Sequence, residues 1–94
     1  MNTAATLAMI KRRFAGSDRA VERAFEASES FRGLCTDYLA CATALARWQD
    51  SREPQTRSRV EEYSALLAEL TNEIQERLRT EERIMNHHHS DGGT

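Results

Sequence analysis

Ninety-four residues, 30% charged and 39% hydrophobic, with one proline and four glycines, describe one small domain rich in helix, with little material for sheets or long loops. A net charge of −2 argues against a nucleic-acid or membrane-surface role for the chain as a whole. No run approaches the ~18 apolar residues of a membrane-spanning helix.

The charge is uneven along the chain. Residues 1–27 carry Lys11, Arg12, Arg13, Arg19 and Arg23 against Asp18, Glu22 and Glu26, whereas residues 51–94 carry six arginines against nine acids. Segments of opposite sign attract each other within a molecule or between subunits, though salt screens the effect. The opening MNTAATLAMIKRRF places apolar residues before basic ones, the reverse of a secretory signal. A cytoplasmic setting is therefore expected, with Cys35 and Cys41 as free thiols.

In chain order, Leu7, Ile10 and Phe14 suit a short helix over 3–15, ended by Gly16. Ser17 or Asp18 then supplies an N-cap. A long helix follows over 18–49. Its seam is Val21, Ala24, Ser28, Phe31, Cys35, Tyr38, Ala42 and Leu45, at the three–four spacing of heptad a and d positions. Phe25, Leu34, Leu39, Cys41 and Trp48 widen that seam into a stripe suited to a bundle rather than a two-stranded coil. Ser28-Glu29-Ser30 offers an alternative, a break near 28–30 with a second helix capped there.

The stretch QDSREPQT, residues 49–56, is a connector, because Pro54 cannot continue the first long helix and fits the opening turn of the next. A second long helix is expected over 55–85, with Val60, Tyr63, Leu67, Leu70 and Ile74 on its seam. Glu73 with Arg77, and Arg79 with Glu82, are spaced to pair along its surface. Residues 86–94 read as a disordered polar tail. Together these elements predict an all-α protein, an antiparallel helical hairpin with a short N-terminal helix. Stripes this wide exceed what one hairpin covers, so dimerisation into a four-helix bundle is the simplest completion.

Little in the chain carries chemistry. Cys35 and Cys41 are six apart, about 120° around a helix and ~9 Å along it, which rules out a disulfide or shared metal between them within one helix. They read as small buried hydrophobes, Cys41 being nearer the stripe's edge and the better candidate for an intersubunit contact. Tyr38 and Tyr63 hold matching positions and are expected to approach each other or share a water. Glu61, Glu62, Glu69, Glu73 and Glu76 lack the inward Glu-x-x-His of a di-iron bundle, as no histidine precedes residue 87. His87, His88 and His89 lie beyond the expected helix without a rigid setting for a metal. Lys11, Arg12 and Arg13 form the one basic triplet, without an aromatic platform for nucleic acid. The glycines at 16, 33, 92 and 93 fit no phosphate loop or nucleophile elbow.

Phe31-Arg32-x-Leu34-Cys35-x-Asp37-Tyr38, Ala44-Leu45-x-x-Trp48, Glu62-Tyr63-x-x-Leu66 and Glu69-Leu70-x-x-Glu73-Ile74 form a recurrent pattern. Over roughly residues 28–76 it resembles a group of small uncharacterised bacterial helical-hairpin proteins, in which a proline often stands where this chain has Ser30. The resemblance implies the hairpin and a cytoplasmic setting, and no activity.

The expected function is thus non-catalytic: protein–protein interaction with self-association into a homodimer, without cofactor, metal, nucleic acid or membrane. Its contact residues are expected to be Phe31, Leu34, Tyr38, Leu45, Trp48, Tyr63, Leu67, Leu70 and Ile74, with Trp48 and Phe25 as aromatic anchors. The alternative is a redox- or metal-responsive module using Cys35 and Cys41 at a subunit interface.

Overall fold

The computed structural model describes residues 3–93, with side chains through residue 86. The chain is all-helical, with α1 Thr3–Arg13, α2 Asp18–Ala27, α3 Glu29–Gln49 and α4 Thr56–Gly93, and no strand among the described residues. The expected histidine tail lies outside the residues whose side chains are described.

Gly16 closes the first corner in the left-handed region at φ 92°, a conformation that a side chain resists. There Phe14 N donates to Ile10 O and Ser17 N to Phe14 O. Ser17 is the N-cap of α2, but its hydroxyl makes no cap bond and reaches Glu82 on α4 instead, at 3.5 Å. α2 buries Ala20, Val21, Ala24 and Phe25.

The second corner is Ser28, where the chain passes from α2 to α3. Its backbone is extended (φ −131°, ψ 113°), its N–H donates to Ala24 O at 2.9 Å, and its Oγ accepts from Phe31 N at 3.1 Å. One residue therefore closes α2 and caps α3, satisfying backbone groups that both helix ends would otherwise leave open. Arg32 braces the corner by donating to the carbonyls of Phe25 and Glu26.

The α3–α4 connection is pinned by Ser51, whose Oγ accepts from Glu53 N at 3.2 Å and lies 3.2 Å from Thr56 Oγ1. α3 and α4 then run in opposed directions. Cys41, late in α3, donates to the carbonyl of Tyr63 early in α4. Arg77, late in α4, donates to Ser28 and Ser30 at the start of α3.

The core lies at the end of this pair where α1 and α2 also pack. Ile10, Val21, Phe31, Cys35 and Ile74 are essentially inaccessible there, with Ala24, Phe25, Tyr38 and Leu78 beside them. Phe14 meets Tyr38 with ring centroids 5.6 Å apart at 56°. Tyr38 thus finds its aromatic neighbour on the α1–α2 corner rather than in Tyr63, because the corner carries Phe14 over α3. Of the two expected surface pairs, neither forms: Arg77 turns to α3, and Arg79 pairs with Glu76 at 3.0 Å.

Candidate interaction surface

The two ends of the α3–α4 pair are unlike. At the Ser28–Arg77 end, four helices meet and close a core. At the opposite end, beyond Cys41 and Tyr63, α3 and α4 have only each other among the described residues, apart from Thr6 of α1 at the margin of a groove. That groove, of about 610 Å³, runs along the outer side of α3 over Thr36, Ala40 and Ala44 to Trp48 and Tyr63. Its floor combines the small side chains Thr36, Ala40, Thr43 and Ala44 with Leu39 and Arg47, and its far wall is aromatic.

The nine expected contact residues divide between these ends. Phe31, Tyr38 and Ile74 are buried in the chain's own core. Leu34, Leu67 and Leu70 are half-buried against it. Leu45, Trp48 and Tyr63 are half-buried at the thin end. Leu66, on the flank of α4, is 42% exposed. Phe25, expected as an anchor, is enclosed by its own chain. The Arg59 guanidinium lies 6.0 Å from the centre of the Trp48 ring, an arrangement that steadies the indole while leaving part of it open.

The thiols occupy different surroundings. Cys35 is fully enclosed, and burial pushes its pKa up to about 12, opposed only in part by the Arg77 charge. Cys41 is buried at the α3–α4 seam, where it donates to Tyr63 O at 3.4 Å, and burial raises its pKa also. Both are neutral thiols near pH 7, poor as nucleophiles and as metal ligands. No group of three or more His, Cys, Asp or Glu side chains able to hold a metal occurs among the described residues. No helix among them is long and apolar enough to cross a membrane.

The sequence marks Arg77 only as a surface partner for Glu73. The signal was present in Ser28-Glu29-Ser30, two hydroxyls at a helix start, which attract a donor from whichever helix passes. Which helix passes is decided only in three dimensions.

Compared with known proteins, the chain matches no family model, no curated protein and no solved structure.

Proposed function

We propose that this is a non-catalytic protein that acts by binding protein, and that two copies associate, each contributing its α3–α4 hairpin, into a four-helix bundle. The observation that carries the reading is the thin end: Leu45, Trp48 and Tyr63 are half-buried between two helices where the other end of the same pair has four. Completing that end with two helices from a second copy buries the aromatic wall and the floor of the groove together, and a two-fold axis makes the contact self-complementary. Leu34, Leu67 and Leu70 pack against the core beside it. Phe31, Tyr38 and Ile74 contribute indirectly, by fixing the helices that present it.

The dimensions agree with this reading. The radius of gyration is 16.1 Å, against about 12 Å for a compact chain of this length. The accessible surface is 6806 Å², against about 5,500 Å² for a globular monomer of this mass. A cytoplasmic setting and the resemblance to small bacterial helical-hairpin proteins fit the same picture, in which function resides in a surface. The thiol alternative is weaker, since both sulfurs face inward.

Light scattering behind size exclusion tests the proposal. A dimer mass that is unchanged by reductant and lowered by Trp48→Glu, with helicity retained, is the expected result. A monomer mass for the parent chain at every attainable concentration overturns it. A dimer that reductant dissociates moves the interface to the cysteines.

A further inference from the structure

A second surface, on the flank of α4, has its complement elsewhere on the same chain. From Val60 to Glu76 there are five glutamates and no lysine or arginine. Along this stretch Leu66, Glu69, Leu70 and Glu73 lie at the three–four spacing of one helix face and border a shallow groove of about 520 Å³. Leu66 is 42% exposed, Glu69 and Glu73 are exposed, and neither glutamate makes an ion pair among the described residues.

The matching set is on α1. Met9 is 46% exposed, with Arg12 and Arg13 exposed three and four residues further on, and neither arginine makes an ion pair among the described residues. Lys11, between them, is already engaged with Glu22. Arginines at +3 and +4 from Met9 share its helix face, so α1 presents one apolar side chain and two positive charges together, opposite in sign to the leucine–glutamate strip of α4. With Met9 seated between Leu66 and Leu70 and the helices parallel, a rise of ~1.5 Å per residue places both arginines between the levels of Glu69 and Glu73, within side-chain reach of each.

The two sets do not meet within one molecule. Arg13 and Phe14 border α4 at Gln75, Leu78, Arg79 and Glu82. Those positions lie roughly 180° around the helix from the Leu66–Glu73 line, at 100° per residue. The strip also cannot pair with its own copy, because Glu69 and Glu73 would then face glutamates.

We propose that the Leu66–Glu73 strip of α4 receives the Met9–Arg13 end of α1 from a second copy of this chain. The inference rests on the self-association reading and adds its register: each copy gives one basic end and one acidic strip, so a pair closes without leaving either set over. Methionine contributes a flexible apolar contact, and the arginines supply charge pairs at its rim that set orientation and weaken with salt.

Charge exchange tests it on the full chain. Dimer dissociation constants are measured by sedimentation equilibrium, with helicity followed by circular dichroism, for the parent, R12E/R13E, E69K/E73K and the fourfold combination. Each double variant is expected to weaken the dimer by about tenfold or more, and the combination to restore it to within about threefold of the parent. Double variants that leave the parent dimer unchanged overturn this docking while self-association stands. Weakening by both without restoration in the combination overturns the pairing of these two surfaces. A parent chain that is monomeric throughout overturns both the docking and the self-association.

Discussion

The guanidinium of Arg77, on α4, donates to the Oγ of Ser28 at 2.9 Å, and Ser28 is the residue where α2 ends and α3 begins. The same Oγ accepts from Phe31 N, and the same guanidinium lies 6.0 Å from the centre of the Phe31 ring. A single long-range contact thereby fixes the helix corner, its cap and the most buried aromatic to one helix.

This contact is measurable as a coupling. Ser28→Ala removes both the cap and the arginine's acceptor, and is expected to cost about 1–2 kcal/mol. Arg77→Met keeps much of the side-chain packing and is expected to cost about 1 kcal/mol. In a urea-unfolding double-mutant cycle the two losses overlap, so the double variant is less destabilised than their sum. Strict additivity would mean that the hydrogen bond contributes nothing in solution.

The two internal glycines are expected to respond with opposite signs. Gly16 has φ 92° with open space around a new Cβ, so Gly16→Ala is destabilising by about 1 kcal/mol through backbone conformation alone. Gly33 is in the interior of α3, and a Cβ there meets nothing within 4 Å. Gly33→Ala is therefore stabilising by about 0.5–1 kcal/mol, as a better helix former. Thermal unfolding of the two variants checks the signs.

Phe31 and Trp48 are expected to separate folding from the proposed association. Phe31 is 0% exposed, and Phe31→Ala is expected to cost about 3–5 kcal/mol, enough to unfold much of a domain this small. Trp48→Ala leaves the four-helix end intact, so it is expected to retain helicity while lowering the mass seen by light scattering. Loss of helicity in the Trp48 variant would place the tryptophan in the fold rather than in the contact.

The thiols are expected to be slow. With maleimide in native buffer, Cys35 and Cys41 react far more slowly than a free thiol and become fast in denaturant. The pKa of Cys35 is raised from 9.0 to about 12, so the folded state holds its proton more tightly than the unfolded chain does. Its contribution to stability is complete below pH 9 and is lost as the pH rises from 9 toward 12. Cys35→Val removes that titration, and its alkaline loss of stability over this window should be shallower than the parent's. Parallel curves would show that the thiol's protonation does not follow the fold.

Much of the secondary structure was legible because it depends on local rules. Leu7, Ile10 and Phe14 share a face at helical spacing, Gly16 supplies a left-handed stop, and Pro54 interrupts one helix and suits the start of the next. The interruption at Ser28 was harder to read, since the apolar spacing runs through it from Ala24 to Phe31 without loss of register. Capping alone does not choose between a continuous helix and a corner there; the packing of α2 against α4 and the braces from Arg32 and Arg77 do.

The apolar faces were legible, but not which parts of them the chain itself covers. Apolar periodicity identified Phe31, Tyr38 and Ile74 as well as Leu45, Trp48 and Tyr63 as core-facing, and it has no means of separating residues that their own chain covers from those that it leaves half open. That separation depends on where α1 and α2 lie along α3 and α4.

The helical character, the position of the main connector and the separation of acidic from basic segments are set locally, because propensity, periodicity and charge are properties of neighbours along a chain. Three-dimensional packing is what makes α1 and α2 close one end of the α3–α4 pair, brings Arg77 to Ser28 rather than Glu73, and keeps the Met9–Arg13 end away from the Leu66–Glu73 face. These outcomes follow from contacts between residues far apart in sequence, whose geometry is set by packing.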